Sequence, residues 1–284
     1  MTDSVLVYVP TYKDTACAET LRAVSELQFD GKLTVEIADG AALFDTASKE
    51  ENLFAQQRRA WDMALDGGYS ALAFVEHDMQ PPATAIQAAW NLGKSVVYCP
   101  YMFRHGLYKI SIFRREGGIN IGMSLSNYPR ELRAAREAGR WRCSGTGWGC
   151  TLVRRDVLRA VELRTDDNPY TDLPFAADCE RLGIEQWAAM DQACLHYDPM
   201  TRVWLNPWWD GGGVKVKVKA LKNVVLGTTD GPLHMEAGQE YQVDRTAAFG
   251  AQRAGYAQIL DAENKTVAKR TSPTKRRVTK KAKQ

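Results

Sequence analysis

Long hydrophobic runs are missing from this sequence. The longest apolar stretches, such as Ala71–Val75, are far shorter than the roughly 20 residues that a membrane-spanning helix needs. The chain opens with Met1-Thr2-Asp3-Ser4 and passes directly into an apolar segment, so it lacks the basic start and small-residue cleavage site of a secretion signal. We therefore expect a cytoplasmic protein without a membrane span.

Cysteine pairs of the CxxC type are also missing, although the chain contains six cysteines. Without such pairs, neither a zinc ribbon nor a thioredoxin-type redox motif is supported. We expect reduced thiols that are mostly buried. The six residues are Cys17, Cys99, Cys143, Cys150, Cys179 and Cys194.

Acidic residues are absent from the last twenty positions, 265–284, which carry nine lysines and arginines. The first 264 residues hold 28 basic and 34 acidic residues, a net charge of −6. The terminal segment has no apolar periodicity and cannot form a core, so we predict a disordered basic tail over residues 263–284. Such a tail is a candidate for electrostatic contacts with DNA or another polyanion.

The rest of the chain has the composition of a soluble globular protein, since 45% of the sequence is hydrophobic and 25% is charged. Short apolar strands alternate with amphipathic helices in the first hundred residues, which predicts an α/β fold with a largely parallel sheet flanked by helices. The predicted strands are Val5–Val9, Leu33–Ile37, Ala71–Val75 and Ser95–Cys99, and the predicted helices are Glu19–Leu27, Asn52–Leu65 and Ala83–Leu92.

A glycine cluster marks the end of this pattern. Gly211-Gly212-Gly213 is typical of a hinge, and the alternating segment Val214–Leu221 is followed by turn signals typical of β-hairpins. We therefore predict three parts: an α/β domain over residues 1–210, a small β-rich module over residues 214–262, and the basic tail.

The most informative segment is Glu76-His77-Asp78, which directly follows the apolar run Ala71–Val75. Open α/β sheets bind their ligands at the carboxyl ends of the strands. In an extended segment Glu76 and Asp78 point the same way, and two carboxylates on one side suit a hard divalent cation that also binds a diphosphate. A plain acidic loop is an equally ordinary interpretation, since short motifs give many false positives.

Together with its neighbours, this segment resembles the nucleotide-sugar-dependent glycosyltransferases of the GT-A (Rossmann-like) fold, especially the family 2-like group. Val7–Tyr12 is similar to that family's first strand and donor loop, and the loop contains Pro10, Thr11 and Tyr12. Glu76-His77-Asp78 stands where the family has its DxD metal motif. The resemblance implies that Asp78 and Glu76 bind the metal and that His77 lies beside the donor.

Three further segments extend the resemblance. Val35–Gly40 is similar to the family's second strand, whose terminal acid, here Asp39, holds the nucleobase or ribose. Arg58 and Arg59 stand in a position resembling the third motif, where a cation faces the diphosphate. Gly147-Trp148-Gly149 is similar to the glycine-rich segment that borders the sugar and the acceptor, with Trp148 offering a face for stacking. A tight turn before a strand and a helix explains the same glycines equally well.

Later acidic and histidine residues complete the comparison. Met190–Cys194 resembles the motif that supplies the catalytic base in inverting members, which makes Asp191 the candidate base and Asp178 the alternative. His196 is the candidate third metal ligand, although His77 and His105 compete with it. Arg104, Arg114 and Arg115 are candidates for holding an anionic acceptor or the donor phosphates, or else a solvated basic loop.

The resemblance implies a metal-dependent hexosyltransferase-type enzyme that uses Mn²⁺ or Mg²⁺ and a nucleoside-diphosphate sugar, UDP-sugar by default, to glycosylate a hydroxyl. DNA and protein are both possible acceptors. A nucleotidyltransferase is one alternative, although Val9–Asp14 lacks the glycine-rich basic signature expected after the first strand. A nucleic-acid-binding or scaffolding protein with a degenerate transferase fold is another.

Overall fold

The computed structural model describes residues 2–11, 16–38, 48–104, 109–116, 119–124, 128–166, 170–199, 203–208, 215–228, 231–244, 248, 251–252 and 255–260. Tyr12, Asp39, His105, the hinge glycines and the basic tail lie outside the described residues. The chain divides into two compact units, residues 1–212 and residues 213–284.

Strands and helices alternate in the first unit. Its described strands are β1 (Ser4–Val9), β2 (Lys32–Ile37), β3 (Ala71–Val75), β4 (Met79–Gln80), β5 (Val96–Tyr98), β6 (Lys109–Glu116), β7 (Ile119–Ser124), β8 (Arg140–Cys143), β9 (Cys150–Arg154), β10 (Gln186–Ala189), β11 (Leu195–Asp198) and β12 (Val203–Leu205). Its described helices are α1 (Ala18–Ser25), α2 (Lys49–Asp66), α3 (Ala85–Asn91), α4 (Pro129–Glu137), α5 (Arg155–Ala160) and α6 (Asp172–Arg181).

A seven-stranded sheet in the order β2-β1-β3-β9-β5-β10-β8 forms the centre of this unit. β1 pairs in parallel with β2 and β3, and β5 pairs in parallel with β10. β9 lies antiparallel between β3 and β5, and β8 lies antiparallel to β10. The predicted α/β fold with a mainly parallel sheet is confirmed, and the structure adds an antiparallel strand near the sheet's centre.

Burial on both faces explains why the central strands are apolar runs. Val5 and Val7 of β1 lie in a core shared with α1 and α3, whereas Leu6 and Tyr8 lie in a second core shared with α2, α5 and α6. Strands covered by helices on both faces have no solvent side, so they lose the hydrophobic and polar alternation of a one-sided sheet. This arrangement directs the strand ends, rather than the faces, towards a ligand.

A capping box defines the start of α2. The Ser48 Oγ accepts a hydrogen bond from the Glu51 backbone N–H at 3.2 Å, and the Glu51 Oε2 accepts one from the Ser48 N–H at 2.9 Å. These two bonds satisfy donors that a helix N-terminus otherwise leaves free. They fix where α2 begins.

A second, three-stranded sheet in the order β12-β11-β4 lies next to the end of β3. In its antiparallel register His196 of β11 is opposite Met79 of β4. Because Met79 follows Asp78 in the chain, this register brings Asp78 and His196 together from positions 118 residues apart.

The second unit contains five described strands: β13 (Lys215–Ala220), β14 (Val224–Thr228), β15 (Gly231–Met235), β16 (Glu240–Asp244) and β17 (Ala257–Ile259). They form a sheet in the order β16-β13-β17 and a β14-β15 hairpin around a core that includes Val218, Met235 and Val243. Among the described residues of the whole chain, no helix is long and apolar enough to cross a membrane.

Candidate functional site

A pocket of about 360 Å³ opens where β1 and β3 end. Pro10 and Thr11 follow β1 directly, and Glu76 and His77 follow β3 directly. The other walls come from the start of α2, from the segment after β5 and from β11, and the remaining lining residues are Lys49, Glu50, Asn52, Leu53, Gln56, Tyr101, Phe103, Arg104, Tyr170 and His196. The pocket thus lies at the carboxyl edge of the parallel strands, where α/β sheets bind ligands.

Thr11, at the start of the loop after β1, is held by hydrogen bonds to α2 and to the residue that follows β2. The Thr11 backbone N–H donates to the Gln56 Oε1 at 3.0 Å, and the Gln56 Nε2 donates to the Thr11 carbonyl at 2.7 Å. The Thr11 hydroxyl donates to the carbonyl of Ala38 at the end of β2. Thr11 is 4% exposed, so the pocket wall at this point is a preformed surface.

Glu76 and His196, which line the pocket, form a cluster of three possible metal ligands with Asp78, which is buried beside them. One carboxylate oxygen from each acid and one ring nitrogen of His196 all lie within 4.8 Å of one another. Ligands about 2.1–2.5 Å from a hard cation can be up to about 5 Å apart across it. Asp78 and His196 are 4% and 5% exposed, whereas Glu76 is half-buried and faces the pocket.

Arg104 occupies the other side of this cluster. Its Nη2 forms an ion pair with the Asp78 Oδ2, and its Nε donates to the His196 Nε2 at 2.8 Å. The opposite ring nitrogen of His196, Nδ1, then carries the proton and donates to the Met102 carbonyl at 2.8 Å. Arg104 therefore holds both side chains in place through the atoms that a cation would use.

The imidazoles of His196 and of the neighbouring His77 are neutral near pH 7. Burial and the positive charge of Arg104 lower the pKa of His196 to about 3 and the pKa of His77 to about 4. Burial raises the pKa of Glu76, and the charge of Arg104 opposes that rise. Metal binding requires neutral imidazole, so the histidines are in the protonation state that a cation needs.

One further observation indicates that the donor atoms of this cluster fit a divalent cation. Oδ1 of Asp78 is buried and has no hydrogen-bond partner among the described residues. It lies 3.8 Å from the His196 Nε2. An unsatisfied buried carboxylate oxygen costs free energy, and a cation bound to it and Glu76 would remove that cost, with His196 joining as a ligand once Arg104 releases its Nε2.

A smaller cavity of about 70 Å³ adjoins the pocket and shares Glu76 and Tyr101 with it. Its far wall includes Asp172, the first residue of α6. Burial raises the pKa of Asp172, although its Oδ1 accepts a hydrogen bond from the Leu173 N–H at 3.0 Å. The cavity therefore places a further acidic group, Asp172, close to the pocket, which already has Glu50 and Glu76 in its lining.

The glycine-rich segment Gly147-Trp148-Gly149 lies beside this cavity. A Cβ at Gly147 would overlap the Tyr101 hydroxyl, and one at Gly149 would overlap the Tyr101 ring and the end of Met79. Both glycines thus allow Tyr101 to lie against the backbone, which is a close approach and not a turn requirement. The Gly149 carbonyl also accepts the Glu76 N–H at 2.9 Å.

Trp148 is 6% exposed and belongs to the core on the α2 face of the sheet. Its ring lies 6.3 Å from Trp61, 6.1 Å from Phe74 and 4.8 Å from Phe175, measured between ring centroids. These contacts make Trp148 a core residue that borders the small cavity, in a different setting from the exposed stacking face that the sequence analysis expected.

The two candidate bases lie elsewhere. Asp178 forms ion pairs with Arg164 at 3.1 Å and Arg181 at 3.2 Å, and the hydrogen bond from Arg164 contributes most to lowering the pKa of its carboxyl. Asp191 is exposed, with its carboxylate next to Gly139. Neither residue lines the pocket or the adjoining cavity.

The predicted cationic residues differ in whether they line the pocket. Arg58 and Arg59 of α2 are exposed and do not line the pocket; the Arg58 Nη1 donates to the Leu163 carbonyl at 3.2 Å. Among the residues that the structure describes, the lysine and arginine that line it are Lys49 and Arg104. The sequence does not predict Lys49 as a pocket residue, because a single lysine at a helix start has no distinguishing signal.

Comparisons with known proteins identify only distant similarities. No family model and no curated protein matches the chain. Among solved structures, the chain is similar to A197 from STIV, with a TM-score of 0.46 and 15% identity over 72% of this chain and 93% of that one.

Two similar structures are enzymes by their descriptions. One is UDP-glucose pyrophosphorylase complexed with UDP-glucose, with a TM-score of 0.40 and 10% identity over 70% of this chain and 93% of that one. The other is CMP:2-keto-3-deoxy-manno-octonic acid synthetase complexed with CTP, with a TM-score of 0.35 and 14% identity over 66% of this chain and 89% of that one. Similarities of this size do not assign the chain to a family.

Proposed function

We propose that this protein is a glycosyltransferase that binds a nucleoside-diphosphate sugar with Mn²⁺ or Mg²⁺ and transfers the sugar to a hydroxyl group. The observation that carries the proposal is the convergence of Glu76, Asp78 and His196 at the carboxyl edge of the sheet, where Glu76 and His196 line a pocket and Asp78 is buried beside them. The sequence resemblance described above supports the same assignment. A cation held by these residues would neutralise the diphosphate leaving group.

The pocket walls provide partners for the other parts of such a donor. Lys49 and Arg104 bring positive charge to the pocket, which suits a diphosphate. Pro10 and Thr11 form the rigid wall beside the end of β2, where the resemblance implies that the nucleoside binds. Neither Arg58 nor Arg59 is needed in this arrangement, since neither lines the pocket.

Asp172 is the proton acceptor in this proposal, in place of Asp191 and Asp178. It borders the cavity that adjoins the pocket through Glu76 and Tyr101, so an acceptor hydroxyl in that cavity would lie between the carboxylate and the donor sugar. A raised pKa makes a carboxylate a stronger base, which favours proton transfer from a hydroxyl. Asp178 is instead held by two arginines, and Asp191 faces solvent.

We also propose that catalysis is confined to residues 1–210, with residues 214–262 as a separate β-rich module. All residues that line the pocket and the cavity lie between Pro10 and His196, within the first compact unit. An activity assay with different acceptors identifies the acceptor class. Duplex DNA is included because of the basic tail, and proteins are included because they carry hydroxyl side chains.

Product analysis tests this function against its alternative. The purified full chain is incubated with Mn²⁺ and a panel of nucleoside-diphosphate sugars, and release of nucleoside diphosphate is measured with and without acceptors. We expect release from at least one donor. Pyrophosphate formation from a nucleoside triphosphate and a sugar phosphate, without diphosphate release from any donor, would identify a nucleotidyltransferase instead.

A further inference from the structure

A second cluster of possible metal ligands lies inside the core of the first unit. The Sγ atoms of Cys99, Cys150 and Cys194 all lie within 4.8 Å of one another. Their exposed fractions are 2%, 2% and 0%, and they share a core with residues such as Val75 and Met79. We call these three residues the thiol cluster.

Backbone hydrogen bonds hold the thiol cluster in this arrangement. The Cys99 N–H donates to the Cys150 carbonyl at 2.9 Å, which continues the pairing of β5 with β9. The Cys194 N–H donates to the Pro100 carbonyl at 2.8 Å. The three thiols therefore come from three segments whose relative positions are defined by the sheet, and not from one flexible loop.

Each thiol of the cluster is next to a segment that forms the candidate site. Cys99 is two residues before Tyr101, Cys150 directly follows Gly149, and Cys194 is two residues before His196. Tyr101 and His196 line the pocket, and the Gly149 carbonyl accepts the Glu76 N–H. An ion bound by the three thiols would thus connect the three segments that carry Tyr101, Gly149 and His196.

We propose that the thiol cluster is a structural binding site for one soft d¹⁰ cation, such as Cu⁺, Zn²⁺ or the probe ion Cd²⁺. Thiolates select such ions over hard cations, and structural sites of this kind are closed to solvent. The three thiols lose their protons to solvent on binding, so a divalent ion gives a tris-thiolate complex of charge −1 and Cu⁺ gives one of charge −2. Oxidation states do not change.

The geometry fits this chemistry with a small contraction. Metal–sulfur bonds of about 2.3 Å place three ligands around a three-coordinate ion about 4 Å apart. The observed upper limit of 4.8 Å requires movements of less than 1 Å, within reach of side-chain rotation. Because the site is buried, the ion would enter as the chain folds, as in other structural metal sites.

Metal content measures this site directly. The full chain is expressed in medium supplemented with Cu²⁺ salt, which cells reduce to Cu⁺, with Zn²⁺ or with Cd²⁺, then desalted and analysed for metal per chain. We expect about one retained equivalent of at least one of these ions, and ultraviolet thiolate charge-transfer absorption when the ion is Cd²⁺ or Cu⁺. The three arms distinguish which ion the cluster retains.

Matched variants separate the thiol cluster from other sites. Cys194→Ala is expected to lower retained metal at least about fivefold, because two thiolates hold such an ion less tightly than three. Cys179→Ala removes a fully buried cysteine from the second core, on the other face of the sheet, and should leave the retained metal unchanged. Asp78→Ala removes one carboxylate of the Glu76, Asp78 and His196 cluster and should also leave thiolate absorption unchanged.

Two results would overturn the proposal. One is a wild-type chain that retains less than about a tenth of an equivalent of all three ions, which would make the cysteines ordinary small core residues. The other is unchanged metal content in Cys194→Ala. The wild-type measurement needs no variant to fold, and neither result depends on whether the protein is a glycosyltransferase.

Discussion

The two ligand clusters of the first unit differ in chemistry and in exposure. Glu76, Asp78 and His196 combine oxygen and nitrogen donors, and two of the three, Glu76 and His196, line a pocket, whereas the thiol cluster is a set of three sulfur donors buried in the core. The first arrangement suits a hard cation that must also meet a substrate, and the second suits a soft cation that stays in place. The comparison teaches that two clusters of possible ligands in one unit can differ in access to a substrate as much as in ligand type.

Asp78→Ala should break the pocket side of this comparison most severely. It removes the buried carboxylate, so we expect Mn²⁺ binding to fall by more than about 100-fold. It also leaves Arg104 without its ion-pair partner in a largely buried place, which should cost about 3 kcal/mol in the free energy of unfolding. Electron paramagnetic resonance of free Mn²⁺ and urea unfolding measure the two effects; Asp191→Ala, an exposed acid, is the control.

Asp172→Asn should separate proton transfer from binding. We expect kcat to fall about 100-fold or more, the usual scale for loss of a positioned base, while donor affinity stays within about twofold. Steady-state kinetics with the best donor and acceptor measure both quantities. Asp191→Asn and Asp178→Asn are the comparison variants, and a larger loss of kcat in Asp191→Asn would return the role of base to that residue.

Gly149→Ala should show how tightly Tyr101 and Met79 pack against the backbone between the two clusters. The added Cβ would overlap the Tyr101 ring and the end of Met79, so we expect a loss of about 1–3 kcal/mol in the free energy of unfolding. Gly122→Ala is the matched control, since its nearest contact is the flexible side chain of Lys109 at 3.3 Å. Equal stability of both variants in urea would mean that Tyr101 is free to move.

Arg104→Met should sharpen the distinction between open and sealed clusters. It frees the Asp78 Oδ2 and the His196 Nε2 from the guanidinium, so we expect Mn²⁺ to bind about tenfold more tightly without nucleotide. Nucleotide affinity should fall, because a cation of the pocket is lost. Weaker Mn²⁺ binding in this variant would show that Arg104 supports the metal ligands instead of competing with the cation.

Sequence reasoning succeeds where neighbouring residues carry the information. The apolar runs of β1 and β3 predict buried strands, and Glu76 and Asp78 follow β3 directly, so their meeting at the strand end is a local property. The antiparallel position of β9 is not local, because it depends on which strands become neighbours in the finished sheet. The same limit hides the thiol cluster, whose three residues come from distant segments without a CxxC motif.

The positions of individual side chains also exceed what spacing can predict. Trp148 follows a glycine and precedes another, a setting that suggests exposure, yet three aromatic residues from α2, β3 and α6 enclose it. The sequence does not distinguish Arg104 from Arg114 and Arg115 as a candidate for holding an anionic group. The register of β11 against β4 brings His196 and Asp78 together, and Arg104 bonds to both. Such convergence is a result of tertiary packing.

Calorimetric titration of UDP in the presence and absence of Mn²⁺ tests the central claim most directly. If the pocket binds a nucleoside diphosphate through a cation held by Glu76, Asp78 and His196, Mn²⁺ should increase UDP affinity at least about tenfold, and Asp78→Ala should remove that increase. Other nucleoside diphosphates extend the titration when UDP does not bind. Tight nucleotide binding that is the same with and without Mn²⁺, and unaffected by Asp78→Ala, would contradict the account.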